Sequence, residues 1–177
     1  EKGFELKYEC SCSTSLKILG KNMENSYPYI GEKIQVTQDM CDLNGHMNVV
    51  FYVHIFEHGS LDFYHNMGFS SEYFSEGFSN FTLEMNVNYL KEMKKHEMAS
   101  PRYRVFDVKP KLIHCGAAIF NEAGELCATQ ENVLVHVDMS TRKSCEMNEK
   151  MINRIRKLVD ESNEVGQPAF DLRLSIR

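Results

Sequence analysis

The sequence predicts one α+β domain in which an antiparallel sheet curls around a single long helix. The chain has 177 residues, of which 42% are hydrophobic, and at this size one domain buries a substantial core. One proline-free segment has a helical pattern with apolar residues around most of its first half, and such a helix has to be enclosed by other structure. Several strand patterns joined by short turns follow it, an order typical of an antiparallel sheet packed on a helix.

The chain divides into three regions by composition. Residues 1–30 are polar and predict an N-terminal arm or an edge strand. Residues 31–140 contain the helix and most of the strand patterns, so they form the main domain. Residues 141–177 are predicted to add a C-terminal helix and a tail, with Ser144 as the helix N-cap.

The elements follow in order within the main domain. A strand is predicted over 33–37, and a turn rich in Asp, Asn and Gly then leads into the long helix over 47–66. Residues 81–89 alternate and predict a half-buried strand, with one face formed by Phe81, Leu83, Met85, Val87 and Tyr89 and the other by Thr82, Glu84, Asn86 and Asn88. Turn residues separate three further strands, predicted over 102–108, 112–120 and 126–137.

A curled sheet around one helix leaves an open side. Pairing two such sheets edge to edge covers that side, so the sequence predicts a homodimer or a dimer of dimers, with the N-terminal end of the helix near the subunit interface.

The charge and cysteine content exclude several classes of protein. The 20 basic and 25 acidic residues give a net charge of −5 without a basic block, which argues against a nucleic-acid partner. No apolar run approaches the roughly 20 residues that span a bilayer, so no membrane partner is expected. The six cysteines are irregularly spaced, without a C-x-x-C motif, and no secretory signal pattern precedes them. Free thiols and a cytoplasmic location are therefore the expectation.

The segment Asp42-Leu-Asn-Gly-His-Met-Asn48 has the groups that an acyl-transfer site needs. Asp42 offers a carboxylate at the start of the long helix, whose first N–H groups can hold a developing oxyanion. Such a carboxylate can attack a carbonyl or deprotonate a water molecule. Gly45 lets the backbone approach a ligand, and His46 and Asn48 can orient the substrate. The same residues also allow a plainer interpretation, in which Asp42 caps the helix and the Asn-Gly pair is only a turn.

This segment resembles a known family. The pattern D-x-N-G-H-M-N followed by V-x-F-Y-V-x-x-F-E is similar to the 4-hydroxybenzoyl-CoA thioesterase branch of the hotdog superfamily. Two further places carry the resemblance: Glu84 with residues 89–92, and the run Leu134-Val-His-Val-Asp138. It covers residues 34–139, and within the branch it is most similar to betainyl-CoA thioesterase-like proteins.

The resemblance implies a hotdog fold that hydrolyses an acyl-CoA thioester to a carboxylic acid and free CoA. It implies no metal and no cofactor other than the CoA of the substrate. Asp42 would be the catalytic carboxylate, and the N–H near Val49 would bind the oxyanion. Other hotdog thioesterases place a catalytic Glu partway along the helix, so Glu57 is a second candidate, although it can equally be a polar residue at the less buried helix end.

A cationic acyl group such as betainyl would need further contacts. Glu84 could offset its charge, and Tyr52, Tyr89 or Phe81 could supply an aromatic wall. The alternative for Glu84 is a solvated side chain. A basic run could contact the CoA phosphates or form a solvated turn; it comprises Lys91, Lys94, Lys95, His96, Arg102 and Arg104.

Two other functions fit parts of the sequence. His54, Glu57 and His58 have the H-x-x-E-H spacing of a zinc hydrolase helix, but the strand-rich remainder of the chain offers no obvious third ligand. A hotdog protein that binds acyl-CoA or an acyl carrier without cleaving it is the other alternative. A pure binder would not need the carboxylate of Asp42.

Overall fold

The computed structural model of the protein describes residues 23–168 and 170–177. The predicted N-terminal arm therefore lies mostly outside the described residues. The described strands are β1 (Tyr29–Ile30), β2 (Ile34–Gln35), β3 (Phe78–Tyr89), β4 (Met98–Val108), β5 (Leu112–Phe120), β6 (Leu126–Asp138) and β7 (Lys143–Ser144). The described α-helices are α1 (Val49–His58), α2 (Leu61–Met67), α3 (Ser71–Ser75) and α4 (Glu149–Glu164), and short 3-10 turns lie at Glu24–Ser26 and Gln38–Met40.

The strands form one antiparallel sheet in the order β1-β4-β5-β6-β3, with β2 added to β4 and β7 added to β6. The predicted β5–β6 turn is present, because the Asn121 side-chain carbonyl accepts N–H groups from Ala123 and Glu125 and Gly124 adopts φ +74°. The α+β class and the antiparallel sheet are thus confirmed. Within the described residues, the long strand β3 pairs only with β6, so its other edge is free.

The long helix predicted over 47–66 is divided in two. α1 ends at His58 and α2 begins at Leu61. Gly59, between them, approaches β4 so closely that an added Cβ would lie 2.6 Å from Pro101 Cγ and 2.7 Å from the Tyr103 hydroxyl oxygen. Close packing on the sheet therefore requires a glycine between the two helices. The prediction of a single long helix over 47–66 was wrong.

α1 is also less enclosed than its composition predicts. Tyr52, Ile55 and Phe56 are buried against the sheet, whereas Val49 and Val50 remain 52% and 64% exposed. A helix that is apolar on nearly all sides thus shows an uncovered side in a single chain.

A bulge in β3 changes which residues share a face. The register shifts between Thr82 and Glu84, so that Phe81 lies opposite Val135 while Met85 lies opposite Asn132. Directly opposed residues of antiparallel strands point to the same side of a sheet, and a shift of one residue reverses the pattern. The prediction of a single alternation over 81–89 was therefore wrong. Phe81 and Glu84 share the outer face, and Met85, Val87 and Tyr89 share the inner face beneath the helices.

The main core lies between the inner face and the helices. Its fully buried members include Val36, Met47, Ile55, Phe56, Met67, Val105, Ile113, Cys115, Ile119 and Leu134. The predicted C-terminal helix is present, and Met151, Ile155 and Leu158 form its buried face. Its cap was predicted wrongly, because Ser144 lies in β7 and Asn148 caps α4 by accepting the Met151 N–H at 2.8 Å.

The described residues contain no helix that is both long enough and apolar enough to cross a membrane. Four cysteines lie in this part of the chain, Cys41, Cys115, Cys127 and Cys145, and all are free thiols.

Candidate active site

A short loop carries the predicted catalytic residues to the start of α1. Cys41 and Met47 close the loop as an isolated antiparallel bridge. Within it, the Asp42 N–H donates to His46 O at 3.1 Å and the Gly45 N–H donates to Asp42 O at 3.1 Å. Gly45 adopts φ +82°, and a Cβ added to it would meet no atom within 4 Å. The turn therefore favours glycine for its backbone conformation, and the space beside it is open.

Asn48 links the Asp42 carboxylate to the helix. One Asp42 oxygen accepts the Asn44 N–H at 2.8 Å, and the other lies 3.5 Å from Asn48 Nδ2. Asn48 Oδ1 also accepts the Val50 N–H at 3.1 Å, which makes Asn48 the N-cap of α1. The plainer interpretation of Asp42 as the cap of α1 is therefore wrong.

One N–H group in the first turn of α1 remains free. The Val50 N–H binds Asn48 Oδ1 and the Phe51 N–H binds Asn48 O. Among the described residues, the Val49 N–H has no acceptor. It lies at the positive end of the helix dipole, directly after the residue that contacts Asp42. Asn48 thus connects the Asp42 carboxylate to the residue that carries a free amide donor, and an acyl-transfer site requires both groups.

His46 lies half-buried in the same loop. Its Nδ1 is 3.2 Å from Met47 O, so a tautomer with hydrogen on Nδ1 can bind this carbonyl and leave Nε2 as an acceptor. The predicted substrate-orienting role of His46 stays a prediction.

Two tyrosines lie beside the start of α1. Their rings meet edge to face with centroids 5.3 Å apart. Tyr52 is buried, and its hydroxyl accepts the Met93 N–H at 3.0 Å and donates to Lys91 O at 3.3 Å, so this hydroxyl is used by the fold. Tyr89 is half-exposed, and its hydroxyl is 3.5 Å from Val49 O. Tyr89 can therefore offer an aromatic surface to a ligand near Val49.

The structure separates Glu84 and Phe81 from these tyrosines. Both residues lie on the outer face because of the β3 bulge, and the Arg142 guanidinium is 5.4 Å from the Phe81 ring centroid. The predicted grouping of Glu84 and Phe81 with Tyr52 or Tyr89 around one cation is therefore absent within a single chain.

Glu57 lies at the opposite end of α1 from Asp42. It is eight residues beyond Val49, which places it about 12 Å along the helix axis. Partial burial raises the pKa of its carboxyl group above the ordinary range. It borders a cavity of about 10 Å³ with Tyr64, Cys115 and other residues, so Asp42 and Glu57 do not meet at one site in one chain.

Four of the six residues of the predicted basic run already bind other groups of the protein. Lys91 binds Glu125, Lys94 binds Glu92 at 2.9 Å, and Arg102 binds Glu24 at 2.9 Å. Arg104 is only 1% exposed and faces backbone carbonyl groups. The prediction that Arg104 contacts CoA phosphates was therefore wrong, whereas Lys95 and His96 are exposed.

The two histidines of the zinc-hydrolase pattern are neighbours on α1. The His54 and His58 ring centroids are 4.4 Å apart. However, the part of the chain that the structure describes contains no group of three or more His, Cys, Asp or Glu residues that could hold a metal ion. The zinc-hydrolase alternative thus lacks a complete set of ligands there.

The run Leu134-Val-His-Val-Asp138 proves to be structural. His136 is buried, with Nε2 2.7 Å from the Tyr73 hydroxyl and Nδ1 3.0 Å from Cys145 O, so it joins α3 to the end of the sheet. Asp138 Oδ1 accepts the N–H groups of Ser140 and Thr141 in the following turn. Sequence analysis missed this network because Tyr73 and Cys145 lie far from His136 along the chain.

Comparison with known proteins gives the family. Residues 36–155 match the model of the thioesterase-like superfamily. The chain is 27% identical over 125 residues to an L-carnitine dehydrogenase/betainyl-CoA thioesterase of Agrobacterium fabrum, covering 71% of this chain and 26% of that protein. It is 25% identical over 135 residues to a betainyl-CoA thioesterase of Pseudomonas aeruginosa, covering 75% of this chain and 85% of that protein.

A solved structure shows the shared fold. A hypothetical protein of Staphylococcus aureus, determined in complex with CoA, superposes with a TM-score of 0.71 at 22% identity, covering 85% of this chain and 97% of that protein. The α+β hotdog fold is therefore confirmed. The chain spans about a quarter of the length of the bifunctional A. fabrum relative. Because the family model matches well over half of the chain, the protein belongs to the thioesterase-like superfamily.

Proposed function

We propose that this chain hydrolyses an acyl-CoA thioester. The observation that carries this proposal is the Asp42 carboxylate, which is linked through Asn48 to the helix start where the Val49 N–H is free. The names of the two bacterial relatives support the same reaction.

The reaction follows from the positions of these groups. The thioester carbonyl oxygen accepts the Val49 N–H, which stabilises the negative charge that develops on it. Asp42 then acts by one of two routes. It attacks the carbonyl carbon, giving a mixed anhydride and CoA thiolate, and water hydrolyses the anhydride. Alternatively, it takes a proton from a water molecule that attacks the same carbon and expels CoA thiolate.

A second copy of the chain completes the proposed site. Leu43 is fully exposed beside Asp42, and Val49 and Val50 are more than half-exposed. Apolar side chains around a reaction centre that excludes water need a cover. The free edge of β3, 12 residues long, supports pairing with the same edge of a second copy. We therefore propose a homodimer in which the partner closes this site and the open side of α1.

Betainyl-CoA is the first substrate to test, because two relatives are named for it. The half-exposed ring of Tyr89 near Val49 supports binding of a quaternary ammonium group, since such cations bind aromatic faces. Glu84 has no part in this proposal, because it lies on the other face of the sheet.

Release of CoA thiol tests the function directly. A panel of betainyl-, acetyl-, octanoyl- and benzoyl-CoA is incubated with the full chain, and free thiol is measured with a chromogenic disulfide. Hydrolysis of at least one thioester, unchanged by a metal chelator, is the expected result. Binding of CoA thioesters without any thiol release would instead establish a non-hydrolytic binder. Activity abolished by the chelator would favour the zinc-hydrolase alternative.

A further inference from the structure

A segment near the C-terminal end crosses the outer face of the sheet. This segment, called the strap, comprises residues 166–168 and 170–177. Its first residue, Gly166, accepts a hydrogen bond from Arg104 Nη1 at 3.0 Å. Further along, the N–H groups of Arg173 and Leu174 donate to the Glu131 carboxylate at 3.0 and 3.1 Å. The strap is therefore held at two points, both through its backbone.

Apolar contacts fix the strap between and beyond these points. Phe170 packs against the outer-face cluster that contains Tyr27, Ala118 and Phe120. Ile176 is buried, although it lies outside any helix or strand. The strap thus covers apolar surface that the helices, on the inner face, cannot reach.

The two anchoring side chains are buried charges. Arg104 and Glu131 are each 1% exposed, and the sheet register places them on either side of Gly116 on the outer face. A Cβ added to Gly116 would lie 2.6 Å from the Phe106 ring, so the glycine makes room for an aromatic ring in this row.

Buried charges are costly unless they are hydrogen-bonded. Arg104 also donates to Ser26 O at 2.7 Å and to Ser162 O at 3.0 Å. Among the residues that the structure describes, Glu131 has one other partner, His114 Nε2, at 3.2 Å. Two of the hydrogen bonds that compensate the buried Glu131 carboxylate thus come from the strap, so Glu131 depends on it more than Arg104 does.

The outer face without the strap would suit a second copy of the same face. It would combine apolar residues such as Val133 and Val135 with one positive and one negative side chain in a row. A two-fold axis that lies between the two faces and runs along the strands at Gly116 sets the Arg104 of one copy against the Glu131 of the other, because it exchanges the two ends of this row. The row beneath the strap is therefore self-complementary in charge.

We propose that the strap occupies the surface through which two outer faces would otherwise pack, and that it thereby prevents assembly through this face. The inference is independent of the reaction catalysed and of the pairing of β3 edges. It concerns the opposite side of the sheet from the candidate active site.

Two variants are expected to detach the strap, one by a change in the sheet and the other by a change in the strap itself. Glu131→Gln weakens the acceptor on the sheet, and Ile176→Asp places a charge in the buried part of the strap while leaving the sheet unchanged. Glu122→Gln and Leu172→Asp are the matched controls, because both residues are exposed. Hydrogen exchange of the Arg173 and Leu174 amides reports strap release, and light scattering over a concentration series reports the assembly.

The expected result has two parts. In both variants these amides exchange roughly tenfold faster or more than in the wild type, and the mass at high concentration doubles relative to the wild type and both controls. The proposal is overturned if the amides exchange faster without any increase in mass. It is equally overturned if the amides are unprotected in the wild-type chain, or if both variants retain full protection. Should Glu131→Gln fail to fold, Ile176→Asp alone decides between these outcomes.

Discussion

Asn48 is the residue on which the geometry of the candidate site depends most. Its side-chain oxygen caps α1 by accepting the Val50 N–H, and its side-chain nitrogen lies 3.5 Å from the Asp42 carboxylate. Because the cap occupies the Val50 N–H, the Val49 N–H is the donor of the first turn that remains for an oxyanion, as far as the described part of the chain shows. One amide side chain thus orients the carboxylate and determines which backbone donor is available.

Substitutions of Asn48 can separate these two effects. Serine is a good N-cap but carries no amide donor, so Asn48→Ser should keep the stability of the wild type while lowering kcat about tenfold. Asn48→Ala should lower kcat similarly and also destabilise the fold by about 1 kcal/mol, because the cap is lost. Urea unfolding and steady-state thiol release measure the two quantities. A serine variant with unchanged kcat would show that Asn48 only caps the helix.

The sequence identifies this segment because each of its residues acts locally. The Asp, Asn and Gly of the turn and the Asn before an apolar helix are recognisable from local preferences alone. The contribution of Tyr52 is not recognisable in this way. Its hydroxyl binds the backbone of Lys91 and Met93, about forty residues away, and only the folded chain brings these groups together.

At the scale of the elements, the strand β3 shows why a face assignment from the sequence fails. Its apolar alternation is unbroken, yet the bulge between Thr82 and Glu84 reverses the face of every residue beyond it. The position of a bulge depends on the register with β6, which the β3 sequence does not contain. The break at Gly59 is similar, because the helix ends where β4 comes too close for a side chain.

The free edge of β3 leads to a prediction about assembly. Leu83 is 61% exposed in a single chain, so Leu83→Lys should leave the fold intact while placing a charge on the proposed dimer edge. We expect light scattering to show a shift from dimer to monomer, together with a loss of thioesterase activity, because the site loses its cover. Val165→Lys is the control, since Val165 is 41% exposed and lies beyond α4. A Leu83→Lys variant that remains dimeric and active would exclude this edge as the interface.

For the molecule as a whole, buried histidines couple stability to pH. Burial lowers the pKa of both His114 and His136 below the ordinary value of 6.5. Below about pH 6.5 these histidines therefore bind protons more readily in the unfolded chain than in the folded chain. Their contribution to the free energy of unfolding is present above about pH 6.5 and is lost as the pH falls below this value. His136 joins α3 to the sheet through Tyr73 and Cys145, so its protonation acts on contacts between distant segments.

We expect the free energy of unfolding to fall when the pH is lowered from about 7.5 to about 5.5. This decrease in the free energy of unfolding should be smaller in His136→Asn than in the wild type, because only one of the two buried histidines, His114, is left. His96→Asn serves as control, since His96 is exposed and has a positive φ of 77°, a conformation that asparagine tolerates. Urea unfolding at both pH values measures the difference. Equal pH dependence in His136→Asn and the wild type would contradict this account.

The fold class could be predicted because it follows from the order and periodicity of whole segments. The C-terminal helix could be recognised from the spacing of Met151, Ile155 and Leu158, although its cap was misplaced by four residues. The strap was predicted only as a tail. Its residues 170–177 alternate between apolar and polar side chains, a pattern typical of a half-buried strand, yet they form no strand in the structure. Its position depends on the buried charges Arg104 and Glu131, which a single sequence does not reveal as buried.

The turnover of Asp42→Asn tests the central claim most directly. Asparagine preserves the size of the side chain and can still accept the Asn44 N–H, but it can neither attack a thioester nor deprotonate water. We predict that kcat for the best thioester falls about 100-fold or more, with unchanged stability, while the exposed control Asp62→Asn keeps wild-type turnover. Full turnover in Asp42→Asn would contradict the proposal that this carboxylate and the Val49 amide form the reaction centre.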